Sequence, residues 1–222
     1  KAEIQKYSPV PITVVPNPLP SAVLDPSLNV TRHYGGERYH IAIILTGWSK
    51  RKNPEPALKA FAKFRLSARN STLHLFGYDF GIGEKGHLWA KAQSIDEGMV
   101  FHGYLPPAEL LQQLNTMHLL VHPAIEESFG MAVAEAMALG IPVIGGVRSG
   151  AIPWLLGQGS AGLLVDVTSA EVIHDAMAEI LGNHELYENC AKAGIARARK
   201  EFHPAIVASK YEEIYRLASL SK

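Results

Sequence analysis

HLLVHPAIEESFGMAVAEAMALGIPVIGG (residues 118–146) reads as a strand, a loop, a helix and a second strand. HLLVHPA and IPVIGG are short apolar runs rich in branched residues and closed by proline or glycine. Between them SFGMAVAEAMAL is apolar and alanine-rich, with Ser128 placed as an N-cap and Gly140 and Pro142 as a stop, so the helix is predicted from about Phe129 to Leu139. Two buried strands joined by a helix run parallel, with helices covering both faces of their sheet.

The same alternation extends outward from about residue 40. HIAIILTG, TLHLFG, MVFHGY and AGLLVD repeat the strand pattern, and NPEPALKAFAKF, EKGHLWAKAQ, PAELLQQLN and SAEVIHDAMAEIL repeat the helical one. Two further helices follow, HELYENCAKAGIARARKEF and HPAIVASKYEEIYRLASL, with Pro204 suited to a first turn. The expected fold class is therefore α/β: a Rossmann-like parallel sheet with helices on both faces, plus C-terminal helices. In such open sheets ligands bind outside the carboxyl ends of the strands, so the loops after Gly47, Gly77, Tyr104, Ala124 and Gly146 should form one rim.

Composition removes several function classes. Lysine plus arginine and aspartate plus glutamate number 21 each among 222 residues, so no basic surplus points to nucleic acid. The single cysteine, Cys190, excludes an internal disulfide framework and fits a reducing compartment such as the cytoplasm. No apolar run approaches the roughly 20 residues that span a bilayer. AKAGIARARK offers a basic face for peripheral contact with anionic lipid, although a solvated helix face is the reading we adopt. The sequons at Asn29 and Asn70 carry no weight alone. KAEIQKYSPVPITVVPNPLP reads as a helix end, a short strand and a proline-rich connector, and suggests a fragment whose upstream part is missing.

Glu135 is the lone charge within the apolar helix, and an ionised carboxylate removed from water is costly unless paired or hydrogen-bonded. The helix start should lie on the rim, where unpaired N–H groups of Phe129, Gly130 and Met131 and the helix dipole suit an anion, most naturally a phosphate. Gly130 permits close approach to the backbone. Glu127 sits just before the cap and faces the same space, while Glu135 lies about 10 Å further along the axis. A carboxylate accepts hydrogen bonds, and vicinal sugar hydroxyls are fitting donors. The competing reading of Glu135 is an exposed face of a surface helix, which the flanking alanines disfavour.

Glu127, seven intervening residues and Glu135, followed by AMALGIPVIGG, closely resemble the motif of the retaining GT-B glycosyltransferases of glycosyltransferase family 4. Ser128 stands where that family usually has glycine. VVPNPLP is similar to the segment opening the family's C-terminal domain, and SAGLLVD to its Gly-Leu-Leu-Val segment. The resemblance implies the C-terminal half of a GT-B fold. Residues 1–37 would be an interdomain connector and first strand, 38–202 a nucleotide-sugar-binding domain, and 203–222 a helix packing back towards an N-terminal domain. It further implies that Glu135 holds the ribose of a nucleotide-sugar donor and Glu127 the transferred sugar. Ser128, Phe129, Gly130 and Met131 would lie near the diphosphate, and Tyr104 and Leu105 would flank the base. In TGWSKRKNPEPALKAF, Gly47 opens the phosphate loop and Lys52 matches the family's lysine, while Lys50 or Arg51 supplies a second charge. No Asp-x-Asp occurs, so no metal and no other cofactor is expected; fixed cations would stabilise the leaving group.

The implied activity is hexosyl transfer to a glycan or lipid-linked acceptor in polysaccharide biosynthesis. A GT-B epimerase or phosphorylase and a non-catalytic nucleotide-binding module are the alternatives. Aligning both substrates is worth about 7–11 kcal/mol, so a donor half alone should bind without turnover. GIGEKG (residues 81–86) reads as a loop rather than a dinucleotide fingerprint, because Tyr78, Asp79 and Phe80 separate it from its strand. His118 and His122 lie on one face of a strand roughly 13 Å apart and read as structural. Trp154 stands where the family usually has a glutamate.

Overall fold

A computed structural model describes residues 6–7, 12–28 and 38–220. Six strands, β1 (His40–Ile44), β2 (Thr72–Phe76), β3 (Met99–Gly103), β4 (Leu119–His122), β5 (Val143–Gly146) and β6 (Gly162–Val165), coincide with the six apolar runs. The helices are α1 (Pro54–Phe64), α2 (Lys85–Ala92), α3 (Pro107–Leu114), α4 (Met131–Ala138), α5 (Ile152–Leu155), α6 (Ala170–Gly182), α7 (His184–Phe202) and α8 (Pro204–Leu220). Strand order is β3-β2-β1-β4-β5-β6, with all pairings parallel. Chain direction across the sheet reverses between β1 and β4, where Ile41 pairs with Leu119 and Ala42 with Leu120. This is the topological switch point at which doubly wound sheets open a crevice.

Alternation along β1 sorts the core into two layers. Ile41 and Ile43 face Ala57, Leu58 and Phe61 of α1 and Ile173 and Met177 of α6, all buried. Ala42 faces the other side, with Phe76, Leu120, the α4 residues Val133, Ala134 and Met137, and Phe202 of α7. Each large side chain so buried contributes roughly 1.5–3 kcal/mol. The alanines of α4 allow α7 to approach closely: a Cβ on Gly194 would lie 3.4 Å from the Met137 backbone. Ser169 and Asn183 accept hydrogen bonds from Val172 and Leu186 N–H at 3.3 and 3.1 Å, capping α6's and α7's first turns. Pro204 opens α8 as its residue type suggests.

One local expectation fails here. Residues 12–20 form no strand, and Leu19 N–H instead donates to the Phe202 carbonyl at 2.8 Å, docking the segment against the end of α7. The N-terminal helix end, residues 8–11, the Asn29 sequon and the boundary near residue 37 lie outside the described residues. Helix α5 was not anticipated, because one turn leaves no periodicity to read.

A chain of imidazoles crosses the first three strands. His102 on β3 contacts His74 on β2 at 3.0 Å, and His74 contacts His40 on β1 at 3.2 Å. Thr72 Oγ1 touches both His40 and His74, and the His118 ring accepts from His40 N–H at 3.0 Å. Burial, with the positive charge of His102, His40 and Arg38, pushes His74 down to about 4. The unfolded chain takes up this proton near pH 6.5 and the folded chain resists it until about 4. His74 therefore withdraws stability as pH falls through that window. An NMR titration should show the His74 ring protonating near pH 4; a midpoint above 6 would contradict the packing described.

Candidate functional site

The switch point brings together the loops that follow β1 and β4. Asn53 ties them, its side-chain amide donating to the Pro123 carbonyl at 3.0 Å and the Val167 carbonyl at 2.9 Å. Ile125 N–H donates to the Arg51 carbonyl at 2.9 Å. The turn Ser49–Lys52 then delivers Lys52 inward, and Lys52 Nζ lies 2.9 Å from Glu127 Oε2, with the two side chains 9% and 14% exposed. Glu127 Oε1 accepts from Ser128 N–H at 3.1 Å. His122 and the Lys52 ammonium hold the Glu127 carboxyl well below the usual range, at about 2, against the opposing effect of burial. Glu127 is thus a fixed anion at the sheet's carboxyl edge. Its backbone is clamped from the β5 side, where Ala151 N–H donates to the Glu127 carbonyl at 3.0 Å. Gly150 makes this possible: its φ is +58°, and a Cβ there would collide with that carbonyl oxygen.

Helix α4 begins later than the sequence suggests. Ser128 is not its cap; Gly130 occupies the N-cap position with φ 95° and no side-chain cap. A Cβ on Gly130 would lie 2.8 Å from Ile152 Cδ1, so the tight left-handed turn needs glycine. The physical reason is the turn over residues 128–130 that swings Glu127 beneath Lys52, which postpones the helix to Met131. Phe129, Gly130 and Met131 N–H groups still have no acceptor among the described residues, as anticipated.

Glu135 lies about 7 Å along α4 from Gly130. Its half-buried carboxyl makes no hydrogen bond or ion pair among the described residues, and burial pushes it up to about 7. It lines a cavity of about 380 Å³ whose other walls include Tyr104, Leu105, Leu110 and Val23. Tyr104 is stacked on Tyr78 at 4.8 Å between ring centroids. An apolar cavity with one unpaired carboxyl suits an amphiphilic ligand that presents hydroxyls.

The structure therefore groups Lys52, Glu127 and Ser128 in one constellation and Glu135, Tyr104 and Leu105 in one cavity. Gly47 opens the β1 loop, where Trp48 N–H is held by Asp79 Oδ2 at 2.8 Å. Arg51 is exposed and forms no ion pair among the described residues, and Lys50 lines a separate groove with Trp48, Lys59 and Lys85. Residues 81–84 form a loop, with Glu84 accepting from Gly81 N–H at 2.6 Å, while Lys85 and Gly86 already open α2. Sequence reasoning set His122 aside as structural, and the fold places its Nε2 3.5 Å from Glu127 Oε2. Its signal is a polar residue at the inner end of an apolar strand. Trp154 walls another rim cavity beside Ser128, Phe129 and Asn17, with the Arg197 guanidinium 5.3 Å from its ring centroid.

The sequence profile described as "Glycosyl transferases group 1" matches residues 36–197. N-acetyl-α-D-glucosaminyl L-malate synthase of Bacillus anthracis is 31% identical over 186 residues, covering 83% of this chain and 47% of that protein. Among solved structures, S. aureus TarM in complex with fondaparinux, α-GlcNAc-glycerol and UDP superposes with a TM-score of 0.77 at 14% identity, over 96% of this chain and 41% of TarM. Anabaena HepE in complex with UDP and glucose superposes with a TM-score of 0.68 at 18% identity, over 81% of this chain and 48% of HepE. The six-stranded sheet thus shares the fold of GT-B glycosyltransferase structures. The chain spans about half the length, or less, of the curated relatives it matches. With the profile covering most of its length, the chain belongs to the glycosyl transferases group 1 family.

Proposed function

We propose that this chain binds a nucleoside-diphosphate sugar and presents it for retaining, metal-independent glycosyl transfer to a glycan or lipid-linked acceptor. The observation that carries the reading is the Lys52–Glu127 pair at the switch point, with Glu135 unpaired in an apolar cavity on the following helix. Glu135 accepts hydrogen bonds from the vicinal ribose hydroxyls, and Tyr104 and Leu105 flank the base. The free N–H groups of Phe129, Gly130 and Met131, together with Lys52 and Arg51, receive the diphosphate beside Gly47 and Ser128. Glu127 accepts hydroxyls of the transferred sugar. As the acceptor hydroxyl oxygen bonds to the anomeric carbon, the bond from that carbon to the β-phosphate oxygen breaks, and the hydroxyl proton passes to an oxygen of the departing diphosphate. The diphosphate leaves with the electron pair, and fixed cations and amides stabilise its charge. The GT-B likeness and the two structural neighbours that hold UDP support this donor. The acceptor groups would belong to an N-terminal GT-B domain, and the retaining mode and family 4 membership rest on the Glu-x7-Glu resemblance.

A thermal-shift panel of UDP, GDP, ADP and their sugars tests this reading. Saturation at about 100 times Kd should stabilise the fold by about 2.7 kcal/mol. The shift should be the same with a chelator as with Mg²⁺ or Mn²⁺, because no Asp-x-Asp pair exists to recruit a metal. Loss of the shift on chelation, and its return with metal, would refute the metal-independent part.

A further inference from the structure

His122 ends β4 at the carboxyl edge of the sheet and is 3% exposed. Neither of its ring nitrogens has a hydrogen-bond partner among the described residues. Leaving such buried groups unpaired is costly, and a leucine would fill the end of an apolar strand without that cost. The imidazole is not isolated, however: Nε2 lies 3.5 Å from Glu127 Oε2, just outside good hydrogen-bond range. That oxygen already receives Lys52 Nζ at 2.9 Å. Among the described residues, Glu127's other oxygen has only the Ser128 N–H.

Lys52 has two claims on it under the donor-site reading, on which this inference rests. A flexible ammonium that turns towards a diphosphate moves away from Oε2. Glu127 would then keep its negative charge in a largely buried position with one backbone N–H to hold it. We infer that His122 is the positioning residue that takes over, donating Nε2–H to Glu127 Oε2 when Lys52 turns to the diphosphate, so that the carboxylate stays aimed at the transferred sugar. A shift of a few tenths of an ångström closes the contact. His122 touches neither nucleotide nor sugar in this account, and it acts through Glu127.

Ring ¹H–¹⁵N correlation spectra of the full chain test the handover. In the wild type the His122 ring should show the Nε2–H tautomer. Saturating UDP, and separately Lys52→Met, should each move that Nε2–H proton downfield, and Glu127→Ala should abolish both shifts. A merely structural histidine would show no such dependence on Lys52 and Glu127. An Nδ1–H tautomer throughout, or a His122 signal unmoved by saturating UDP, would overturn the proposal. Should UDP, GDP and ADP all fail to bind by calorimetry, the donor-site reading falls and takes the handover with it. Lys52→Met then decides separately whether the His122–Glu127 contact exists. If that variant does not fold, the wild-type tautomer and the nucleotide titration still decide the question.

Discussion

Lys52→Met should destabilise the ligand-free protein by about 3–5 kcal/mol at pH 7, the range for breaking a buried pair and leaving one charge uncompensated. The Glu127 carboxyl titrates at about 2 in the fold, against an ordinary value of 4.5. Its contribution is therefore fully present above pH 4.5 and is lost as pH falls towards 2. The gap between wild type and variant should accordingly narrow below pH 4.5, where a protonated Glu127 no longer needs a cation. Urea denaturation at pH 7 and pH 3 measures both points. The same substitution removes a charge-assisted contact to the diphosphate, worth about 1.5–3 kcal/mol, or roughly 10- to 150-fold in nucleotide affinity. Equal stability at pH 7 with unchanged affinity would mean that Lys52 serves neither role.

Glu135→Gln should act in the opposite direction on stability. Burial raises the Glu135 carboxyl to about 7, so the folded chain holds a proton that the unfolded chain has already lost at neutral pH. Stability associated with this group is present below pH 4.5 and declines as pH rises to 7. A tenfold difference in proton affinity between the two states is worth about 1.4 kcal/mol, and allowing for the carboxyl's partial exposure leaves a cost of about 2 kcal/mol at pH 8. Glutamine removes that cost, so the variant should be more stable at pH 8 and no more stable at pH 4. It should also bind nucleotide about 1–3 kcal/mol more weakly, because an amide replaces the carboxylate that receives the ribose hydroxyls. Denaturation at the two pH values and calorimetry separate these effects. A variant with unchanged stability and unchanged affinity would make Glu135 a bystander in its cavity.

The strands were legible because each is a short, largely apolar run, and in β4 and β5 every residue is buried, which leaves little room for any other pattern. HIAIILTG starts on the first residue of β1, and IPVIGG ends on the last residue of β5. The side-by-side order of the strands was not legible from periodicity, since no local signal says that β4 lies beside β1. Local rules misled where tertiary contacts overrode them. Ser128 has the chemistry of a cap, but its N–H is drawn to Glu127 and the left-handed turn at Gly130 delays the helix. Lys52 and Glu127 are 75 positions apart, and nothing in either segment announces an ion pair. His122 is hidden for the same reason: strand spacing correctly separates it from His118, yet gives no hint of a carboxylate arriving from the following loop. Glu135 was the exception, because a single charge in an apolar helix is visible without any partner.

The most direct measurement is a crystal structure of the chain bound to whichever of UDP, GDP or ADP gives the largest thermal shift. The account predicts the ribose hydroxyls on the Glu135 carboxylate, the base between Tyr104 and Leu105, and the diphosphate against the N–H groups of Phe129, Gly130 and Met131 with Lys52 turned away from Glu127. A nucleotide seated elsewhere, such as the Lys50–Lys59–Lys85 groove, with Glu135 unliganded and the Lys52–Glu127 pair intact, would contradict it.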